Sequence, residues 1–188
     1  MKKLPQILAF GIFGIMCFFA LWAPEKPLEA EVIVHRTEIK RNTYPAKISI
    51  ESIGVNAPIE SVGILDGAMA VPTFGHNVGW YSLGTKPGEP GSAVLAGHVN
   101  WKHGEDAVFT NLKNIHLGDT VTITNNYGQK TFFKVVDIKS VSLYEDTTEI
   151  FSSADGISKL NLITCDGTWN DLLNTHDSRL VVFTERVY

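Results

Sequence analysis

The stretch TVTITNNYGQKTFFKVVDIKSV, residues 120–141, consists of two runs rich in β-branched and aromatic residues around a short polar segment. The segment between the runs is Asn125-Asn126-Tyr127-Gly128. Asn and Gly tolerate the left-handed backbone that tight turns need, and turn residues between two such runs are a strong hairpin signal. The stretch therefore predicts a β-hairpin.

The rest of the chain from residue 44 onward follows the same pattern of short strands. AKISIES alternates strictly, with Ile48 and Ile50 on one face, and residues 57–62 and 68–71 predict two short strands. Three further apolar runs predict strands: SAVLAGH, KLNLITC and RLVVFTERV. Residues 105–115 predict a short helix, and TTEIF predicts one helical turn. About eight short strands with little helix favour an all-β fold, a closed or nearly closed eight-stranded barrel with one or two short helices.

The N-terminal residues predict a membrane anchor. Residues 4–23 contain Gln6 as their only strongly polar side chain, and about 20 apolar residues suffice to cross a bilayer. Lys2 and Lys3 favour a cytoplasmic N-terminus, with the rest of the chain outside the cell. A cleaved signal peptide is the alternative, although Leu21 is too large for the usual cleavage site. We expect a single-pass anchor over residues 1–23, an extracellular spacer over residues 24–43 and one domain over residues 44–188.

The charge of the exported part argues against nucleic-acid binding, and its cysteine content points to a reactive thiol. Without Lys2 and Lys3, 14 of the 16 basic residues remain against 20 acidic ones, and no basic patch points to nucleic acid. The chain has two cysteines, and Cys17 lies in the apolar segment, so Cys165 is predicted to be a free thiol. Exported domains usually pair their cysteines, so a lone exported thiol suggests chemistry.

Three residues whose side chains could take part in catalysis lie at the ends of predicted strands. His98 closes one apolar strand, Cys165 closes another, and Arg179 opens the last. If these strands are neighbours, the three side chains could gather at one mouth of the barrel. Together they would suit attack on a carbonyl carbon. The thiolate is the nucleophile, the imidazole transfers protons, and a fixed cation stabilises the oxyanion that forms. Taken singly, none of the three indicates catalysis: a lone cysteine in a strand is usually a buried, unreactive thiol, and a histidine or arginine at a strand end usually lies at the surface.

Four segments around these residues carry a resemblance to a known family. They are GWY at 79–81, PGEPGSAVLAGH at 87–98, LITC at 162–165 and RLVVF at 179–183. In this order and spacing they resemble the sortases, the membrane-anchored cysteine transpeptidases of mainly Gram-positive bacteria. The likeness covers residues 44–188, and the chain is most similar to the compact classes D, E and F, above all class F. The resemblance implies a sortase-type β-barrel.

The resemblance also implies a reaction and its residues. Cys165 would be the nucleophile, His98 the acid/base partner and Arg179 the group that binds substrate and oxyanion. The substrates would be surface proteins with a C-terminal Leu-Pro-x-Thr-Gly (LPxTG) type sorting signal, cleaved between Thr and Gly. A thioester on Cys165 would then pass the protein to a cell-wall amine of peptidoglycan or its lipid II precursor. No cofactor is implied.

Further roles are implied for four neighbouring residues. Thr164 resembles a family threonine that shapes the substrate contact, and the backbone N–H of Asp166 is a candidate oxyanion donor. Many relatives of the compact classes have an Asp where Asn100 stands, so Asn100 could orient the imidazole without stabilising its cation. His176 lies in a loop that would flank the active site and is predicted to touch substrate.

Three alternatives remain open on the sequence. A zinc hydrolase could use His98, His103, Cys165 and His176, but their spacing matches no familiar zinc motif, and no metal is expected. A membrane-anchored, non-catalytic β-domain would keep Cys165 as an inert core thiol. A pilus-polymerising sortase usually carries an N-terminal lid with an Asp-Pro-aromatic anchor, and no Asp-Pro occurs here. Attachment of single proteins to the wall is therefore favoured.

Overall fold

The computed structural model describes residues 42–188, which form a closed eight-stranded β-barrel. The predicted anchor and residues 24–41 of the predicted spacer lie outside the described residues. Across residues 42–188, no helix has both the length and the apolar character needed to cross a membrane. The strands are β1 (Pro45–Ile50), β2 (Val55–Val62), β3 (Ile64–Leu65), β4 (Ala68–Met69), β5 (Val78–Tyr81), β6 (Gly91–Gly97), β7 (Thr120–Asn125), β8 (Lys130–Ser142), β9 (Ser158–Asn170) and β10 (Thr175–Val187).

The barrel closes in the order β1-β2-β5-β6-β9-β10-β8-β7, with β7 pairing back onto β1. Two neighbouring pairs are parallel, β2 with β5 and β6 with β9, and the other pairs of the barrel are antiparallel. The short strands β3 and β4 pair only with each other. The predicted all-β barrel is confirmed.

The hairpin predicted from residues 120–141 is confirmed as β7 and β8. Val121 pairs with Phe133 across the two strands, and both side chains are fully buried. The turn between the strands is held by the side chain of Asn125, whose Oδ1 accepts hydrogen bonds from the N–H groups of Tyr127 at 2.9 Å and Gln129 at 3.0 Å. Gly128 adopts a left-handed backbone with φ of 79°, which explains the glycine there.

The barrel interior is filled by one apolar cluster to which every barrel strand contributes. Alternation along each strand directs every second side chain inward. Its buried members include Ile48, Val55, Val78, Leu95, Val121, Phe133, Leu162 and Val182. Because this cluster fills the interior, a binding site can form only on the outer faces of the strands or at the ends of the barrel.

Two details of the predicted secondary structure are wrong. The eighth barrel strand is β5, whereas the strand predicted at residues 68–71 forms only the two residues of β4 outside the barrel. The helix predicted at residues 105–115 is absent, apart from a 3-10 turn at Leu112–Asn114. Its backbone is used elsewhere, because Val108 N–H donates to Gly75 O and Phe109 N–H donates to His98 O. The predicted helical turn in TTEIF is confirmed as α1 (Thr148–Phe151).

The β7–β8 hairpin predicts a sharp difference between two adjacent phenylalanines. Phe133 is 0% exposed in the core, whereas Phe132 on the opposite face is 44% exposed. Phe133→Ala is expected to lower the free energy of unfolding by about 3–5 kcal/mol, because it removes a buried ring and leaves a cavity. Phe132→Ala serves as the matched control. Chemical denaturation of the full chain should show a much smaller loss in its free energy of unfolding. Equal losses would contradict the assignment of the two faces.

Candidate active site

The strands that carry the three predicted site residues are neighbours in the barrel. Cys165 on β9 and Arg179 on β10 are direct partners in the antiparallel register. In the parallel pair of β6 and β9, Ala96 is the partner of Ile163. His98 lies two residues beyond Ala96, so the same register extended by one repeat brings it level with Cys165. The topology therefore brings the three residues side by side.

These residues lie on the outer face of the sheet, whereas the sequence suggested a mouth of the barrel. Alternation puts Cys165 on the face of Ile163, opposite to the core residue Leu162. On this outer face, Val94, Val141 and Val181 form a second apolar cluster with Ile150 of α1. Because α1 covers this cluster, the outer face is a second, smaller packing layer beside the site.

A groove of about 770 Å³ runs over this face and contains all three residues. Its floor comes from β6, β9 and β10, and its walls come from the β3–β4 hairpin, α1, the end of β8 and the β9–β10 turn. Apolar side chains dominate one part of the lining: Ile64, Met69, Val71, Tyr81, Ile150 and Phe151. Polar side chains gather around Cys165, which is half-buried. The groove combines an apolar part with polar groups, which is the character expected of a peptide-binding site.

His98 is held by groups that sequence reasoning missed. Its Nε2 lies 3.0 Å from the backbone carbonyl oxygen of Pro72, in the segment between β4 and β5. Its ring packs against the indole of Trp101, with 4.9 Å between ring centroids. A backbone carbonyl has no residue signature, so only the fold could reveal this partner. Asn100 lines the groove, and its backbone forms an isolated β-bridge with Asp106.

Arg179 directs its guanidinium toward the first residues of β10. Nη1 donates to the carbonyl oxygens of His176 at 3.0 Å and Ser178 at 2.8 Å, and Nη2 donates to Thr175 Oγ1 at 3.0 Å. Among the described residues, no carboxylate forms an ion pair with Arg179. The guanidinium therefore has further N–H donors at the groove for a ligand.

Thr164 and Asp166, which flank Cys165, are both fastened to the barrel. Thr164 is 4% exposed, and its hydroxyl donates to the carbonyl oxygen of Gly97 at 2.8 Å. That bond joins the middle of β9 to the residue before His98. The Asp166 carboxylate accepts a hydrogen bond of 2.6 Å from Ser140 on β8. The roles of Thr164 in substrate contact and of the Asp166 N–H in an oxyanion site stay predictions.

The pairing of β9 with β10 is interrupted by a bulge near the Cys165–Arg179 pair, and it resumes with His176 and Thr175 before the turn. The register shifts between His176 and Ser178, which leaves Asp177 unpaired. The Asp177 carboxylate accepts hydrogen bonds from Thr168 N–H at 3.0 Å and from Ser178 Oγ at 2.9 Å. Gly167 opposite has φ of 79°, and a Cβ there would lie 2.1 Å from Asp177 Oδ1. A side chain at position 167 would be strained by this backbone and would displace Asp177, so the bulge favours glycine there.

His176 lies in the groove wall, but on β10 and not in the predicted loop, with its ring edge toward Trp169 at 5.4 Å between centroids. Its Nδ1 is buried and has no hydrogen-bond partner among residues 42–188. A buried nitrogen without a hydrogen bond destabilises the folded protein, so a bound molecule that supplied the partner would gain binding free energy from this contact. Its predicted contact with substrate stays a prediction.

The residues of the zinc alternative do not assemble. His103 lies in an exposed 3-10 turn, Lys102–Gly104, and does not line the groove. Within residues 42–188, no three side chains of His, Cys, Asp or Glu are grouped so that they could hold a metal ion. The arrangement offers a thiol, an imidazole and a guanidinium on one groove. Such a set suits nucleophilic attack on a carbonyl, with proton transfer and stabilisation of an oxyanion.

Comparison with known proteins agrees with this chemistry. The family model described as the sortase domain matches residues 48–187. Similar solved structures include a lid mutant of sortase A from Corynebacterium diphtheriae, with 25% identity, a TM-score of 0.59 and coverage of 77% of this chain and 70% of that one. Sortase C-1 from Actinomyces oris has 28% identity and a TM-score of 0.58, with coverage of 76% and 73%.

A sortase D5 transpeptidase from Clostridium perfringens is also similar, with 25% identity and a TM-score of 0.58. The matched region covers 77% of this chain and 79% of that one. A comparison with curated protein sequences finds no match. These structural relatives are sortases of classes A, C and D, so the predicted similarity to class F stays a prediction.

Proposed function

Because the chain belongs to the sortase family, it is a cysteine transpeptidase, and we propose that Cys165, His98 and Arg179 perform its reaction. The observation that carries the proposal is their common position on one groove, with Cys165 and Arg179 as direct register partners. Family membership implies substrates with LPxTG-type signals and amine acceptors.

In the first half-reaction, the thiolate of Cys165 attacks the carbonyl carbon of the Thr in the sorting signal. The negative charge that develops on the carbonyl oxygen is stabilised by the guanidinium of Arg179 and by the backbone N–H of Asp166. The C–N bond to Gly then breaks, and the leaving amine takes a proton from His98. The products are a thioester on Cys165 and a peptide that begins with Gly.

In the second half-reaction, an acceptor amine attacks the thioester carbonyl, and neutral His98 takes its proton. Collapse of the tetrahedral intermediate releases Cys165 and forms a new amide bond. The acceptor is an amine of the cell wall, either in peptidoglycan or in its lipid II precursor. The apolar part of the groove, which includes Ile64, Met69 and Val71, receives the Leu-Pro portion of the signal. Thr164, Asn100 and His176 line the same groove and contribute contacts to the bound peptide.

Sortases act at the membrane or the cell surface, and as a member of the family this chain acts there too. Residues 1–23 form its single membrane-spanning anchor, residues 24–43 the extracellular spacer and residues 44–188 the catalytic domain. The apolar run after Lys2 and Lys3 supports this division. Retention of the full chain in membranes washed with alkaline carbonate, and its release when residues 1–23 are deleted, would test the anchor.

Removal of the thiol tests the nucleophile directly. Cys165→Ala should abolish both cleavage and transfer of a peptide with an LPxTG-type signal, because it removes the thiolate that forms the acyl intermediate. The fold should persist, since the change removes one half-buried sulfur atom on the outer face of β9, away from the main core. Circular dichroism verifies the fold, and chromatography of the peptide products measures the activity. Turnover by the folded variant would refute the assignment of Cys165.

The geometry of the cation should matter as much as its charge. Arg179→Lys is expected to lower kcat nearly as much as Arg179→Ala, because an ammonium cannot reproduce the planar fork of a guanidinium. Loss of one oxyanion donor typically costs on the order of 10²–10³ in turnover. Arg186→Lys is the control, since Arg186 donates to Gly88 O outside the groove. Steady-state kinetics decides the matter, and an Arg179→Lys variant with most of the normal kcat would exclude the oriented role.

A further inference from the structure

The hydrogen bond of His98 determines which ring nitrogen carries the proton. Nε2 lies 3.0 Å from the carbonyl oxygen of Pro72, and a carbonyl oxygen can only accept. Nε2 must therefore be the donor, and in the neutral ring Nδ1 has the free lone pair. Pro72 is buried, so water competes poorly for this contact.

The same peptide group is bound at its other end by a carboxylate. The N–H that follows the Pro72 carbonyl belongs to Thr73, and it donates a hydrogen bond to Glu60 Oε1. The other carboxylate oxygen, Oε2, accepts from Asn77 Nδ2 at 3.2 Å. Glu60 lies on β2, next to β5 in the barrel. One carboxylate on a rigid strand thus holds both ends of the segment from Thr73 to Asn77.

A trans peptide carries its N–H and C=O groups on opposite sides of one plane, and no peptide bond in the described residues is cis. Glu60 and His98 therefore sit at the two ends of a single peptide dipole. Hydrogen bonds in such a chain polarise one another, and a carboxylate at the N–H end makes the carbonyl a stronger acceptor. The negative charge of Glu60 acts on His98 in this way without touching it.

The ring of His98 is also supported by Trp101. The indole packs tightly against Gly75 of the same 73–77 segment, where an added Cβ would lie 2.6 Å from Trp101 Cγ. Since the indole contacts both Gly75 and the His98 ring, it fixes the separation between the segment and the imidazole. The Pro72 carbonyl is therefore kept within reach of Nε2.

We propose that Glu60 is a positioning residue for His98, acting through the Pro72–Thr73 peptide to hold the imidazole as the Nε2–H tautomer. This inference rests on the function proposed above and assigns the proton-transferring atom. Nδ1 carries the proton that passes to the leaving amine as the C–N bond breaks, and it later takes one from the acceptor amine. Nε2 keeps its hydrogen throughout. The carboxylate partner that neutral Asn100 cannot supply is provided by Glu60.

The tautomer can be read directly by nuclear magnetic resonance of the full chain in detergent micelles, labelled with ¹⁵N-histidine. The chain has six histidines, and the His98→Gln variant identifies the signals of His98. The wild-type ring should show a protonated Nε2 and an unprotonated Nδ1. Glu60→Gln, which keeps the size of the side chain but removes its charge, should decrease the population of this tautomer.

Kinetics with an LPxTG-type peptide provides the second readout. A general acid–base group contributes about 10²–10⁴-fold to a rate, so losing only its orientation in Glu60→Gln should lower kcat about tenfold, with KM little changed. Glu60→Ala should have a larger effect, because it also releases the 73–77 segment. Glu89→Gln is the matched control, since Glu89 is exposed and does not line the groove, and it should resemble wild type in both measurements.

Two results would overturn the proposal: a wild-type His98 that is protonated on Nδ1, or Glu60 variants with an unchanged tautomer. A fall in stability or kcat without a change in the tautomer would mean that Glu60 is merely structural, which also overturns it. If Glu60→Ala does not fold, Glu60→Gln alone decides. Acyl transfer by His98→Gln would contradict the proposed function instead, and the ring signals of wild type would still report on Glu60.

Discussion

The register of three adjacent strands, β6, β9 and β10, is the constraint on which the site depends. Cys165 and Arg179 are register partners, and His98 follows the last residue of β6. Because side chains alternate between faces, a slip of one residue in β9 would turn Cys165 toward the barrel interior. The Thr164–Gly97 hydrogen bond and the bulge at Asp177 oppose such a slip on either side of β9.

Use of the outer face separates the chemistry from the main core. The barrel interior is filled by its own apolar cluster, so the site residues contribute little to its packing. The outer face needs a cover of its own, and α1 supplies it through Ile150, whose carbonyl oxygen accepts a hydrogen bond from Asn161 at 2.6 Å. Site residues can therefore be exchanged with little effect on the barrel, which makes mutational tests of the chemistry interpretable.

Local patterns predicted much of this structure, and long-range contacts account for what they missed. Alternation and turn residues specified the β7–β8 hairpin. The prediction that Cys165 and Arg179 lie at strand ends was wrong, because β9 continues to Asn170 and β10 begins at Thr175. The strand β5 was missed because its four residues are stabilised by neighbours distant in sequence, β2 and β6. The partners of His98 could not be predicted, because a backbone carbonyl and the carboxylate behind it leave no spacing in the sequence.

The central claim is that Cys165 becomes acylated on the outer face of the barrel. Mass spectrometry of the full chain, mixed briefly with an LPxTG-type peptide and quenched in acid, measures this directly. The account predicts a mass increase equal to the peptide fragment that ends in Thr, located on the segment with Cys165 and discharged by an added amine. Product formation with no such adduct, or an adduct on any other residue, would contradict it.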